Sequence, residues 1–151
     1  MRRYGLWGKI LRIPDDLKKR LLVDFEFSIQ KIQEEENIRK KLYYFSATFG
    51  IVERIMRLHL EPQLVLVHAV LNLTYNSLIG LVQGRERGDV ARELPPNLTE
   101  TLVEYLTELR DKLAEDKDTY KTLEKILFLG YRASGPGYYT TQLFEHTKAG
   151  S

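Results

Sequence analysis

The residues best suited to chemistry in this sequence are three histidines, His59, His68 and His146. Helical carboxylate-bridged metal sites place a glutamate three residues before a histidine, so that both side chains project to one side of the helix. The residues at those positions are apolar instead: Met56, Val65 and Leu143. The chain also has no cysteine, which excludes a thiolate site. We therefore predict no metal site and no cofactor.

A second candidate is the series His68, Asn72 and Asn76, which are spaced four residues apart. On a helix this spacing places the three side chains on one side, where they could converge on a ligand in a bundle pocket. The alternative is a stripe that faces water or forms an internal hydrogen-bond network. The sequence leaves both interpretations open.

Arg54 and His59 form a third pair, in the segment RIMRLH. The spacing resembles the Arg-x4-6-His signature of the HEPN families, small helical bundles that often act as RNases. The resemblance implies that Arg54 would stabilise phosphate charge in the transition state and that His59 would act as acid or base. A coincidental pairing within a structural helix is the alternative.

The first 13 residues are basic and aromatic. In this N-terminal arm, the candidate nucleic-acid-binding side chains are Arg2, Arg3, Trp7, Lys9 and Arg12. Cations neutralise phosphates and aromatic rings stack on bases, so the arm could bind nucleic acid, or else an acidic protein. It could also dock on the rest of the protein through its apolar residues, or anchor weakly to a membrane surface.

The element that must position these residues is the stretch from Pro62 to Gly84, which contains no Asp, Glu, Lys or Arg. Pro62 is suited to the first turn of a helix, and Gly84 to its end. The stretch is long enough to cross a bilayer, but His68 and several Asn, Gln, Ser and Thr residues are costly in lipid. We predict the central helix of a bundle, and no membrane partner. Gly80 suggests a close helix approach or a weak point.

Apolar residues at helical spacing predict amphipathic helices on either side of this stretch. The first begins after Pro14, a turn follows near 35–37, and a second helix covers about 38–59. Asn97 and Glu100 resemble a capping box at the start of a later helix, with a break near 116–118. The loop from Gly84 to Pro96 has matched charges, which favours solvated surface over an anion-binding loop.

The predicted fold is an all-α, up-and-down bundle of four to five helices. Residues 1–13 form an N-terminal arm, 14–132 the bundle and 133–151 an extended tail that is rich in Tyr and Thr. The absence of a signal-peptide pattern predicts a cytoplasmic protein, and the abundant Glu, Lys and Arg hint at a thermophile.

Function is expected to be that of a non-catalytic interaction or scaffolding module. We expect a homo-oligomer, because the sequence carries more aromatic and aliphatic surface than one small bundle easily covers.

Overall fold

A computed structural model of the protein describes residues 12–134. These residues fold into five α-helices and contain no β-strand. The helices are α1 (Asp15–Glu34), α2 (Ile38–Leu58), α3 (Pro62–Arg87), α4 (Leu98–Ala114) and α5 (Tyr120–Ser134). The predicted all-α bundle is confirmed, and the region 98–131 is two helices, with the break where the sequence predicted it.

The first two helices show how the sequence determines this arrangement. In α1, Leu21, Phe25 and Ile32 are fully buried and recur at helical spacing. The apolar face then changes phase, and the chain turns at the predicted position. Asn37 begins α2, with its side-chain oxygen accepting hydrogen bonds from the backbone N–H groups of the second and third residues that follow it. This cap satisfies donors that have no partner within the helix.

Consecutive helices run in opposite directions. At one end of the bundle, Arg39 of α2 pairs with Glu86 of α3, the Nη2 and Oε1 atoms being 2.6 Å apart. The ammonium of Lys18 in α1 lies 3.0 Å from the carboxylate of Asp116, just after α4. The helices pack as a ring in the order α1, α2, α3, α5, α4. The segment between α3 and α4 therefore carries the chain across the end of the bundle.

Because of this crossing, α5 lies beside α3 and runs in the same direction. Near the start of both helices, Thr119 Oγ1 lies 3.3 Å from Gln63 Oε1. Near their ends, the hydroxyls of Ser134 and Ser77 are 2.9 Å apart. The two helices are thus in contact over four turns of α3, and their outer sides form a shared surface.

The predicted central helix, α3, contributes nine buried residues to the bundle. It packs against both α2 and α5. Its outer side is not covered by the described residues: Val65, Leu66 and Leu73 are 46%, 40% and 56% exposed. By length and composition alone, α3 could also cross a membrane.

The structure differs from the sequence prediction at the end of α3 and at the cap before α4. Helix α3 continues past Gly84 to Arg87, and Gly88 ends it with a left-handed φ of 81°, a conformation that glycine adopts without strain. Asn97 precedes α4 as predicted, but its own φ is 56° and its side chain caps no backbone N–H. The left-handed backbone explains the missing bond, since a capping residue normally has extended geometry.

Gly80 does not mark a close helix approach, because no atom lies within 4 Å of where its Cβ would be. The close approach is at Gly130 instead, where α5 meets α3. Both the predicted arm, apart from Arg12 and Ile13, and the predicted tail after Ser134 lie outside the described residues.

Candidate functional site

A groove lies between the outer sides of α3 and α5, and it is hereafter called the α3–α5 groove. It encloses about 810 Å³. Pockets that hold small organic ligands typically enclose about 300–1,000 Å³. The groove is therefore large enough for a ligand or for side chains of another protein.

Most of the groove surface is apolar. Leu73 and Leu81 contribute from α3, whereas Leu127, Phe128 and Tyr131 contribute from α5. Phe128 and Tyr131 stack on one another, with ring centroids 6.1 Å apart and planes inclined by 24°. Each of these two rings is more than half exposed. This is a hydrophobic surface that the described residues leave in contact with solvent.

The segment between α3 and α4, residues 88–97, lies across one end of the groove and is hereafter called the α3–α4 segment. Val90 and Arg92 both line it, and both are half-buried, whereas the intervening Ala91 is exposed. This alternation is that of an extended chain, which turns every second side chain to the same side. Val90 also packs against the backbone of α3 at Gly84, where an added Cβ would come within 2.6 Å of its side chain.

Arg92 is fixed by the carboxyl end of α5. Its Nη2 donates to the carbonyl oxygens of Ala133 and Ser134, at 2.9 and 2.6 Å. Its Nε is buried and has no hydrogen-bond partner. Among the described residues, no carboxylate forms an ion pair with this guanidinium. A buried donor without an acceptor is costly, and a cation without a counter-ion is unusual beside an apolar surface.

Further polar side chains line the groove. The Ser134 hydroxyl lies between the Ser77 hydroxyl, at 2.9 Å, and the Gly130 carbonyl oxygen, at 3.2 Å. Asn76 and Glu124 lie on the exposed rim. The groove thus combines an apolar body with the half-buried cation of Arg92, the carboxylate of Glu124 on its rim and a few neutral polar groups.

The predicted stripe of His68, Asn72 and Asn76 does not face a single site. His68 faces α2: its Nε2 lies 3.7 Å from Glu53 Oε1, and its ring packs edge-on against Phe49 at 5.7 Å. Asn72 is half-buried, and only Asn76 lines the groove. The pKa of Glu53 lies below its ordinary value, mainly because of its hydrogen bond from Arg57, with a smaller contribution from His68.

Arg54 and His59 both lie on the surface of α2 and its end. His59 ends the helix, and its Nε2 is 3.0 Å from the Arg12 carbonyl oxygen, so Nε2 donates this hydrogen bond. Arg54 lies near the backbone of Gly50. Among the described residues, no hydrogen bond joins the two side chains, and their proposed catalytic role stays a prediction.

The candidate arm is described only at its end. Arg12 is exposed, and Ile13 is 7% exposed and joins the core. Arg2, Arg3, Trp7 and Lys9 lie outside the described residues, so nucleic-acid binding by the arm stays a prediction. Within residues 12–134, no three His, Asp or Glu side chains are grouped as they would be around a metal ion.

Comparisons with known protein families, with curated proteins and with solved structures found no match.

Arg92 was not a predicted site residue, because the loop that contains it has nearly balanced charges. A signal for it was present in the sequence. Val90, Arg92 and Leu94 alternate with Ala91 and Glu93, and this period of two places the arginine on the same side as two apolar residues. Only the packing of that side against α5 gives the arginine its role.

Proposed function

We propose that this small all-α protein is a non-catalytic interaction or scaffolding module that self-associates, and that the outer side of α3 is its contact surface. The observation that carries the proposal is the absence of charge from this surface. The exposed positions between residues 63 and 83 of α3 are Val65, Leu66, Ala69, Leu73, Asn76 and Gly80. None is charged, although this side of the helix meets solvent in the monomer.

The spacing of these residues fits a helix partner. From Leu66 to Gly80 the exposed positions follow one another at intervals of three, four, three and four residues. That alternation is the one that keeps a stripe of side chains facing a second helix. Ala69 and Gly80 are small, so another helix backbone can approach closely there. Asn76 is a polar group that could hydrogen-bond to its counterpart and fix the register.

The aromatic side chains of α5 extend this surface. Tyr120, Phe128 and Tyr131 are 56%, 56% and 57% exposed. Phe and Tyr are enriched in protein interfaces, where they contribute large contact areas. In contrast, the outer side of α1 bears Asp16, Lys19 and Arg20 in its first turns. The outer side of α3 is therefore uncharged where that of α1 is charged, and the exposed aromatic side chains of α5 lie beside it.

A second copy of this chain is the favoured occupant. In a two-fold symmetric contact the same patch meets itself, so an uncharged stripe needs no complementary charges on its partner. A membrane is the competing occupant, but the inner side of α3 packs on α2 and α5. The half-buried His68, Asn72 and Gln83 would also have to be accommodated near lipid.

Sedimentation equilibrium of the full chain tests the proposal. We expect a dimer in the micromolar range, and a monomer for Leu66→Glu, because a carboxylate would be buried without a partner. Val23→Glu is the matched control: Val23 is 57% exposed on α1, so its substitution should leave the dimer intact.

A wild-type monomer at high concentration would refute self-association. A monomer that sediments with neutral lipid vesicles, and loses that property in Leu66→Glu, would show that the surface binds a membrane instead.

A further inference from the structure

We propose that the α3–α5 groove binds an amphipathic organic carboxylate, whose apolar body lies along Leu73, Leu127 and Phe128 and whose carboxylate accepts hydrogen bonds from Arg92. The groove shares Leu73, Asn76 and Gly80 with the contact surface proposed above, so a bound ligand and a second copy exclude one another there. The inference follows from the shape of the groove, the chemistry of its lining and the unsatisfied state of one side chain.

The first step of the argument is volume. The groove encloses about 810 Å³, and it is closed on one side by the α3–α4 segment rather than being a flat surface. Its wall at Gly80 is open, since a Cβ placed there would meet nothing within 4 Å. The space beside Gly80 is therefore available to a ligand without any movement of the bundle.

The second step is the charge. Arg92 lines the groove, and its guanidinium is held in place by the two carbonyl oxygens at the end of α5. Those carbonyls accept from Nη2, whereas Nε is buried and out of reach of the groove, so a ligand would contact the remaining N–H groups of the guanidinium. A carboxylate oxygen is a strong acceptor for a guanidinium N–H, and it would also neutralise a cation that no described side chain pairs with.

The third step is the class of anion. A phosphate group normally requires several cations or a cluster of backbone N–H groups, whereas Arg92 is the one cation among residues 12–134 that lines the groove. Glu124 also lines it, and its carboxylate disfavours a ligand with more than one negative charge. A monocarboxylate with an aliphatic or aromatic body satisfies both the apolar walls and the single guanidinium.

Isothermal titration calorimetry of the full chain with decanoate and with decanol tests the proposal. We expect one decanoate site per chain. Decanol, which has the same body without the charge, should bind roughly tenfold to a hundredfold more weakly, as for the loss of a charged hydrogen bond. Equal affinities for the two probes, or no decanoate binding by the full chain, would overturn the inference.

Gly80→Leu tests whether the apolar body of the ligand lies in the groove, and Ala47→Leu is its control. Gly80→Leu should fill the groove and abolish binding of both probes, while a leucine in place of a helical glycine should not destabilise the fold. Ala47→Leu introduces the same side chain at an exposed position of α2 and should bind decanoate as the wild type does. Retained binding in Gly80→Leu would place decanoate elsewhere and overturn the assignment.

Arg92→Gln should reduce decanoate affinity to that of decanol without changing decanol binding. An unchanged preference for decanoate would contradict the role of the guanidinium. A second copy of the chain is the other possible occupant. If decanoate bound to Leu66→Glu and not to the wild type, the groove would be occupied by that copy, and the ligand proposal would be wrong.

Discussion

The Cα atom of Thr74 on α3 lies 3.0 Å from the position that a Cβ atom on Gly130 of α5 would occupy. The hydroxyl of the same threonine donates to the carbonyl oxygen of Ile126, one turn earlier on α5, at 3.1 Å. The two helices therefore make a close contact through a glycine and a threonine. This contact aligns the outer sides of α3 and α5 that together form the groove.

We expect Gly130→Ala to destabilise the protein by about 1–3 kcal/mol, because the added methyl group would push α5 away from the backbone of α3. Intrinsic helix propensity predicts the opposite sign, since alanine is favoured over glycine in a helix by about 1 kcal/mol. Gly80→Ala is the control, as its Cβ meets open space and only the propensity effect applies. Urea denaturation measures both. A stabilised Gly130→Ala protein would show that the close contact is not tight in solution.

A second prediction concerns Glu108, which connects α4 to α5. It accepts hydrogen bonds from the Thr122 hydroxyl and from the Lys125 ammonium, the latter at 3.0 Å. These interactions, with that of Thr122 the larger, hold the pKa of the Glu108 carboxyl below its ordinary value of 4.5. A lowered pKa in the folded state stabilises the protein above the unfolded-state pKa, and this stabilisation is lost as pH falls through the folded-state pKa.

Glu108→Gln should therefore cost about 1 kcal/mol of unfolding free energy at neutral pH, the usual net contribution of such hydrogen bonds. The difference from wild type should shrink as the pH is lowered below about 4.5. Glu36→Gln, an exposed change in the α1–α2 turn, should show no such pH dependence. Urea titrations across this pH range measure both differences. A constant deficit for Glu108→Gln would mean that packing, and not ionisation, accounts for the effect.

The helices and their turns could be predicted from the sequence because their signals are local. The buried face of α1 and the change of phase before Asn37 are visible in the spacing of apolar residues. The break near Asp116 is visible as a disturbance of the heptad pattern, and in the structure this aspartate has a φ of 54°. These features depend on residues within a few turns of one another, so one sequence is sufficient to locate them.

The groove could not be predicted in the same way, because periodicity shows which face of a helix is buried but not which helix covers it. The parallel contact of α5 with α3 depends on residues distant in sequence, such as Gly130 and Thr74. Packing also explains why the predicted stripe of His68, Asn72 and Asn76 does not form one site. His68 faces α2, whereas Asn76, eight residues later on α3, faces the groove. A site shared by two helices is set by packing.

The basic arm leads to a third prediction, concerning nucleic acid. If the arm binds single-stranded RNA, the affinity should fall steeply with salt, because bound counterions are released. Replacing Arg2, Arg3 and Lys9 together by alanine should then lower the slope of log affinity against log salt by about 2. The control replaces Lys19, Arg20 and Lys40, three exposed cations of the bundle, by alanine. Fluorescence anisotropy measures both slopes, and equal losses in the two variants would show that binding follows net charge alone.

The last prediction concerns RNA cleavage by Arg54 and His59. If the protein is non-catalytic, as proposed, single-stranded RNA should remain intact when it is incubated with the wild-type protein. In the structure His59 Nε2 donates to the Arg12 carbonyl oxygen, and among the described residues no hydrogen bond joins the His59 ring to Arg54.

Gel electrophoresis of labelled RNA makes the measurement, with His59→Ala and Arg54→Ala as the test variants and Arg57→Ala as the control. Arg57 is an exposed arginine one turn from Arg54, and it pairs with Glu53 at 3.0 Å. Cleavage by the wild type and by Arg57→Ala, lost in both test variants while their helical circular dichroism is retained, would establish the pair as catalytic. That result would contradict the non-catalytic proposal. If Arg54 and His59 had only a structural role, replacing them could abolish cleavage only by unfolding the protein.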